Sequence, residues 1–223
     1  MDERPRKQGA QRDYVFGSAL VAPIKLLVLN ASLKHEPNPS NTEEVVNMVL
    51  SEMEKLAPIT AVHVRLADKD IPVGLGFRES DTDEWPAIAE EIMKAQVVIF
   101  ATPIWWGNRS SLMQRAIERM DAFDEEVIQG GRSVLLNKVA GVVITGSEDG
   151  AQNVMAHLME VLSFMNFTLP PNCCTYWVGE TGLDPKTDAE RRRKNPAVTK
   201  MAEHTAKGLV YYAKLLAERP MTP

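Results

Sequence analysis

The fold of this chain is decided by the stretch VVIFATPIWWGN, residues 97–108. Its first five residues form an apolar run rich in β-branched side chains, which predicts a central strand of a parallel sheet, buried on both faces. Open α/β sheets bind ligands beyond the carboxyl ends of such strands. The following proline, tryptophans and glycine therefore predict a wall for a planar aromatic ligand. The alternative is that Trp105 and Trp106 only pack in the core or at an interface.

The composition is that of an ordinary globular protein. Of its 223 residues 44% are hydrophobic and 25% are charged, with a net charge of -5. That charge offers no basic face for nucleic acid, and no segment approaches the roughly 18 consecutive apolar residues of a membrane span. Cys173 and Cys174 are neighbours, a spacing that favours neither a disulfide framework nor a metal site. We therefore expect a cytoplasmic protein that acts on a small molecule, without nucleic-acid, membrane or metal partners.

Apolar runs alternate with amphipathic stretches five times after Lys25, which predicts parallel strands joined by crossover helices. Strands are predicted at 26–30, 59–66, 97–101, 139–145 and within 168–178, the second near a sheet edge because polar residues alternate along it. Helices are predicted at 41–56, 83–94, 108–121, about 154–165 and 196–218. We expect one doubly wound domain at 24–218, an N-terminal tail at 1–23 that could wrap a partner subunit, and a short C-terminal tail at 219–223.

The loop after the first strand carries several hydroxyl groups into a helix. It contains Ser32, and Ser40, Asn41 and Thr42 stand at the helix start. The unpaired amides of a first helical turn and the helix dipole favour a phosphate, and hydroxyl groups add donors. The alternative is a capping box formed by Ser40 and Glu43, which accounts for Ser40 but not for the other residues.

Missing motifs narrow the ligand that these loops predict. Neither G-x-x-x-x-G-K-[ST] nor a G-x-G-x-x-G after the first strand occurs, so a nucleotide triphosphatase or a dinucleotide domain is disfavoured. The loop after the fourth strand contains Gly146 and Gly150, whose amides can approach the edge of a ring, although both could simply shape a turn. What remains is a ligand with a terminal phosphate and a large aromatic head.

Three segments in this order resemble the flavodoxin-like family of NAD(P)H-dependent FMN reductases, close to the multimeric flavodoxins and the iron-sulfur flavoproteins. They are Ala31-Ser32 with Ser40-Asn41-Thr42, the run from Ala101 to Gly107, and the run from Thr145 to Gly150. The resemblance implies a flavodoxin-like α/β fold, a doubly wound five-stranded parallel sheet in the order 2-1-3-4-5 with helices on both faces. No cysteine occurs between residues 68 and 83, where iron-sulfur relatives carry a cluster of them. An iron-sulfur cluster is therefore not expected.

The resemblance also implies FMN as the cofactor, with its phosphate near the helix start, its ring against Pro103 to Gly107, and its pyrimidine edge near the loop after the fourth strand. The expected FMN-binding residues are Ser32, Lys34, Ser40, Asn41, Thr42, Pro103, Ile104, Trp105, Trp106, Gly107, Thr145, Gly146, Ser147 and Gly150. The catalytic groups are expected to be the backbone amides of Trp106 and Gly107, which would stabilise charge on the reduced ring.

The implied activity is that of an FMN-dependent NAD(P)H oxidoreductase. Hydride from NADH or NADPH would reach FMN, and the electrons would pass to a quinone or a similar small acceptor, in a homodimer or homotetramer. Two alternatives stay open: an FMN-binding electron carrier without nicotinamide reductase activity, and a cofactor-free binding domain on the same scaffold.

Two further features each have two interpretations. The run RRRK at residues 191–194 could grip the extra phosphate of NADPH, or it could be a solvated surface at a helix start. Trp85 and Trp177 could wall a flavin pocket at a subunit interface, or they could simply be buried. In both cases we favour the second interpretation.

Overall fold

The computed structural model describes residues 22–124, 128, 130–147 and 149–222, and strands and helices alternate along most of them. The strands within these residues are β1 (Ile24–Asn30), β2 (Ile59–Arg65), β3 (Val97–Trp105), β4 (Asn108–Arg109), β5 (Val139–Gly146) and β6 (Cys174–Val178). The helices are α1 (Asn41–Glu54), α2 (Trp85–Lys94), α3 (Ser111–Arg119), α4 (Ala151–Phe164), α5 (Pro185–Lys194) and α6 (Pro196–Glu218). Short 3₁₀ turns follow β2 and α3, at Leu66–Asp68 and Met120–Phe123.

Five parallel strands form the sheet in the order β2-β1-β3-β5-β6. Counted among the parallel strands alone, this order is 2-1-3-4-5, so the predicted flavodoxin-like fold is confirmed. β2 lies at one edge, as its alternating polar residues predict. The two-residue β4 is a sixth strand that the sequence analysis does not predict, and it pairs antiparallel with the end of β3. The order brings the carboxyl ends of β1, β3 and β5 side by side.

The core has two layers, one on each face of the sheet. Because successive side chains of a strand point to opposite faces, Val98 and Phe100 pack with α2, α3 and α4. Val97 and Ile99 pack with α1 and α6 on the other face. All four side chains are fully buried, as the unbroken apolar run predicts for a central strand.

The end of β3 differs from the prediction. The predicted strand stops at Ala101, whereas β3 continues to Trp105, which pairs with Asn108 of β4. Trp106 and Gly107 form the turn between them, with φ values of 49° and 76°. Two central residues with positive φ make the turn that matches the twist of a tight hairpin. The predicted loop is therefore a β-hairpin, which we call the β3–β4 hairpin.

The third helix consequently begins later than predicted, at Ser111 instead of residue 108. Ser110 caps it, since its side-chain oxygen accepts a hydrogen bond from the amide of Met113 at 3.3 Å. The Ser110 hydroxyl also donates to the carbonyl of Ala31, 2.8 Å away, which ties the start of α3 to the exit of β1.

The basic run at 191–194 belongs to a helix, α5, whose start at Pro185 is capped by Asp184. Its solvated interpretation is wrong for Arg192, which is fully buried and forms ion pairs with Glu44 and Asp188. One of these carboxylates comes from α1 and the other from the preceding turn of α5. A charged side chain is almost never fully buried unless it is paired in this way. Its neighbours Arg191, Arg193 and Lys194 are exposed.

Trp85 is fully buried in the layer formed by α2, α3 and α4, which agrees with ordinary burial. Cys173 is buried and Cys174 is half-buried, and both are free thiols. Burial raises the pKa of the Cys174 thiol to about 12, so the thiol is protonated at neutral pH.

The predicted N-terminal tail lies outside the described residues, apart from Ala22 and Pro23. At the other end, α6 stops at Glu218, and the backbone amide of Met221 donates to the Asn137 side chain at 2.7 Å. None of the helices in the described part of the chain is both long enough and apolar enough to cross a membrane.

Candidate functional site

One cavity of about 420 Å³ opens at the carboxyl ends of β1, β3, β5 and β6. This is the edge of a parallel sheet at which ligands bind in open α/β folds. Its lining residues are Ser32, Leu33, Lys34, Asn41, Thr42, Pro103, Ile104, Trp105, Trp106, Gly107, Thr145, Gly146, Ser147, Trp177, Glu180, Gly182, Leu183, Pro185 and Asp188. The cavity thus brings together twelve of the fourteen residues that we expect to bind FMN.

The other two expected residues, Ser40 and Gly150, are not among the lining residues. Ser40 is the N-cap of α1, and its hydroxyl accepts a hydrogen bond from the Glu43 amide at 3.2 Å. The capping interpretation therefore accounts for this side chain. Asn41 and Thr42, the first two residues of the helix, line the cavity beside Ser32 and present hydroxyl and amide groups next to a helix N-terminus.

Gly150 packs against Gly107, a residue of the cavity wall. Its φ is 122°, and a Cβ atom built on it would lie 2.7 Å from the Cα of Gly107. The Asn153 side chain donates to the carbonyl of Gly107 at 2.9 Å. The start of α4 is therefore packed against the turn of the β3–β4 hairpin and fixes its backbone.

The β3–β4 hairpin leaves its indole rings uncovered. Trp105 is 50% exposed and Trp106 is 92% exposed. A tryptophan with positive φ is uncommon, and such backbone strain concentrates at functional sites. Trp105, Trp106 and Gly107 all line the cavity, so the hairpin forms one of its walls.

The end of β5, with Thr145 and Gly146, forms the floor between α1 and the β3–β4 hairpin. The hydroxyls of Thr145 and Thr42 are 2.7 Å apart and both residues are buried. Gly146 packs so closely on Ile104 that a Cβ atom would lie 2.7 Å from its Cδ1. A side chain at position 146 would therefore displace Ile104, which itself lines the cavity.

The segment from the end of β6 to α5 provides a further wall. Trp177 is the one residue of this wall that the sequence suggests, and it lines the cavity, whereas simple burial is the favoured interpretation of the sequence. The Trp177 indole lines it and donates to the Asp188 carboxylate at 2.9 Å. Glu180 and Asp188 add two acidic groups to the cavity. The rule that ligands bind at strand carboxyl ends applies to the fifth parallel strand as well, so it could have found this wall.

His35, which lies in the loop between β1 and α1, pairs with Asp68, at 2.9 Å between Nδ1 and Oδ1. It is not among the lining residues. In the described part of the chain, no group of three or more histidine, cysteine, aspartate or glutamate side chains is placed to hold a metal ion.

Comparison with known proteins relates the chain to flavin enzymes. The sequence model of the NADPH-dependent FMN reductase family matches residues 24–181. The 8-demethyl-8-aminoriboflavin-5'-phosphate synthase of Streptomyces davaonensis is 29% identical over 208 residues, which are 89% of this chain and 80% of the synthase.

Two further matches differ in how much of the other protein they cover. A divalent metal cation transporter of Mycobacterium bovis is 30% identical over 166 residues, or 73% of this chain, but the match spans only 24% of the transporter. Among solved structures, RosB with bound 8-demethyl-8-formylriboflavin-5'-phosphate superposes with a TM-score of 0.76 at 28% identity, over 90% of this chain and 82% of RosB.

Proposed function

The chain belongs to the NADPH-dependent FMN reductase family, and from this premise we propose that it is an FMN-dependent oxidoreductase acting on small molecules. NADH or NADPH is the donor and a quinone or a similar small molecule is the acceptor. The observation that carries the proposal is the cavity, in which a helix N-terminus, an aromatic hairpin and a glycine-bearing loop meet at adjacent strand ends.

The lining residues fit FMN in their chemistry. Near the start of α1, Ser32, Lys34, Asn41 and Thr42 supply hydroxyl, ammonium and amide donors, which suit a phosphate together with the unpaired amides of the first turn. Trp105 and Trp106 offer flat apolar surface for an aromatic ring. The two ends of the cavity thus match the two chemically different ends of FMN.

The residues of this chain then have three tasks. Those at the start of α1 hold the phosphate, the β3–β4 hairpin positions the ring, and the amides of Trp106, Gly107 and Gly146 stabilise negative charge beside it. Bound FMN supplies the redox chemistry by accepting hydride from a nicotinamide and passing electrons to the acceptor. No side-chain acid or base is required for this chemistry.

Activity with nicotinamides tests this function. We expect the purified protein to bind added FMN and then to oxidise NADH or NADPH in the presence of a small quinone, followed by the loss of nicotinamide absorbance. A protein that binds FMN but oxidises neither nicotinamide with any quinone would be an electron carrier. A protein with no flavin absorption even after FMN is added would be a cofactor-free domain.

A second candidate is an enzyme that modifies FMN as its substrate. The name of the S. davaonensis relative and the ligand bound to RosB both refer to riboflavin-5'-phosphate derivatives, and both matches span at least four fifths of each chain. Mass spectrometry of the flavin after turnover separates the two functions. An unchanged FMN mass supports the oxidoreductase, whereas a changed mass supports the modifying enzyme.

We further propose that the protein is a homodimer or homotetramer. The uncovered indole of Trp106 supports this assembly, since a large apolar side chain that is 92% exposed gains from contact with another surface. Light scattering coupled to size-exclusion chromatography measures the subunit count, and a monomer at all concentrations would contradict it.

A further inference from the structure

The first turn of α1 carries two acidic residues, Glu43 and Glu44. Carboxylates stabilise a helix N-terminus, but they repel a phosphate bound at the same end. Asn41 and Thr42, which line the cavity, precede them directly. Unless their charges are balanced, these glutamates oppose the binding of a phosphate at this helix.

Arg65, at the end of β2, meets the first of these carboxylates. Its side chain is 8% exposed, and its Nη2 forms an ion pair with Glu43. Its Nη1 donates to the carbonyl of Asn38 at 2.8 Å, which holds the loop that leads into α1. A nearly buried guanidinium is therefore fixed beside the start of the helix.

Arg192, near the end of α5, pairs with the second carboxylate, Glu44. Its side chain is fully buried, its Nη2 pairs with Glu44, and its Nη1 pairs with Asp188 at 2.6 Å. Its Nε has no hydrogen-bond partner among the described residues, although this atom is buried. Burial of a guanidinium that lacks one of its hydrogen bonds costs free energy of folding. A role in the site would explain why a charge is held at this position.

We propose that Arg65 and Arg192 are positioning residues that balance Glu43 and Glu44 and so make the α1 N-terminus selective for a phosphorylated flavin over an unphosphorylated one. This inference rests on the proposed function, because it assumes that the phosphate of FMN binds at α1. Each arginine comes from a different element, and each is matched to one of the two carboxylates of the first turn. Without these arginines, the two glutamate charges would act directly against the helix dipole and the amides that attract a phosphate. Two further carboxylates share the arginine charges, Asp188 at Arg192 and Glu36 at 3.8 Å from the Nε of Arg65.

The test compares FMN with riboflavin, which lacks the phosphate, in binding titrations followed by flavin fluorescence. Arg192→Met leaves both Glu44 and the cavity-lining Asp188 without their counter-charge, so we expect FMN to bind about tenfold more weakly while riboflavin affinity changes by less than about twofold. Glu44→Gln is the second variant, because this side chain is partly exposed and its replacement leaves Arg192 paired with Asp188. We expect it to bind FMN about threefold more tightly, with riboflavin unchanged.

Arg193→Met is the matched control, since it removes the same charge from the exposed face of the same helix. It should leave both affinities unchanged. Parallel losses of FMN and riboflavin affinity in Arg192→Met, or unchanged FMN affinity in Glu44→Gln, would overturn the proposal while leaving FMN binding itself intact. A wild-type protein that binds neither flavin would instead overturn the proposed function, and this inference with it.

Discussion

The hydroxyl oxygens of Thr42 and Thr145 lie 2.7 Å apart, although 103 residues separate them in the chain. Thr42 belongs to the first turn of α1, and Thr145 is the last residue of β5 that pairs with β3. Both side chains are buried at the edge of the cavity. This hydrogen bond therefore fixes the start of α1 to the end of β5, which forms the floor of the candidate site.

Replacement of Thr145 by valine tests this connection, because valine keeps the shape and removes the hydroxyl. The Thr42 hydroxyl would lose its partner, and we expect the free energy of unfolding to fall by about 1–3 kcal/mol. FMN affinity should fall as well. Urea unfolding and FMN titration measure the two effects.

Thr145→Ser is the matched control, since it keeps the hydroxyl and should preserve most of the FMN affinity. If Thr145→Val bound FMN as tightly as the wild type, the hydrogen bond would have no part in shaping the site.

A second prediction concerns Asp83 and Arg119, which form an ion pair of 2.7 Å with both side chains fully buried. Arg119 also donates to the carbonyls of Pro72 and Gly76, so the pair holds the loop between β2 and α2. Asp83→Asn leaves the guanidinium without its counter-charge, and we expect a loss of about 3–5 kcal/mol in the free energy of unfolding. The exposed Asp81→Asn is the control and should change stability by less than about 0.5 kcal/mol.

The effect of Asp83→Asn should depend on pH. Burial raises the pKa of Asp83, but hydrogen bonds from Arg119 and from the Glu79 and Trp85 amides outweigh this effect and hold the pKa below its ordinary value of 3.8. A carboxyl group with a lowered pKa contributes stability above its unfolded pKa and loses it as the pH falls through its folded pKa. The difference between wild type and variant should therefore shrink below pH 3.8. A difference that stays constant down to pH 2 would contradict this.

The sequence predicts most of the candidate site because parallel strands end at one edge of a sheet. The apolar runs locate β1, β3 and β5, and their carboxyl ends place Ser32, Pro103 and Thr145 together without any knowledge of side-chain contacts. Which residues line the cavity and which only support it depends on finer geometry. Ser40 turns its hydroxyl to the helix it caps, as the capping alternative predicts.

Two features could not be predicted from local pattern. A strand of only two residues, Asn108–Arg109, is too short to show the alternation of apolar and polar side chains by which strands are recognised. β4 could therefore be predicted only if the hairpin turn before it were already known. The burial of Arg192 depends on Glu44, which lies 148 residues away in the chain. A basic run reads as solvated surface unless the fold brings carboxylates to it.

A third prediction concerns the contact between Gly150 and the turn of the β3–β4 hairpin. Alanine at position 150 would suffer from the positive φ and would place its Cβ 2.7 Å from the Cα of Gly107. Backbone strain alone costs about 1 kcal/mol, and displacement of the hairpin adds to it, so we expect a loss of about 2–3 kcal/mol with weaker FMN binding.

Gly130→Ala is the matched control for this prediction. Gly130 also has positive φ, but nothing lies within 4 Å of the added Cβ. It should lose about 1 kcal/mol and keep its FMN affinity. Equal losses of FMN affinity in both variants would show that the contact between Gly150 and Gly107 does not shape the site.

The last prediction separates stability from function at Trp106. Its φ of 49° is strained for tryptophan, and its side chain is 92% exposed, so the described chain gains little packing energy from it. Asparagine before glycine is the favoured pair for this hairpin turn. Trp106→Asn should therefore raise the free energy of unfolding by about 0.5–1 kcal/mol, as chemical denaturation of dilute protein would measure. The same variant should raise the KM for the acceptor, because the ring that walls the cavity is lost.

Trp106→Phe keeps a ring and should retain most of the acceptor affinity without the gain in stability. If Trp106→Asn were instead less stable than wild type and equally active, the indole would contribute to assembly and not to the site.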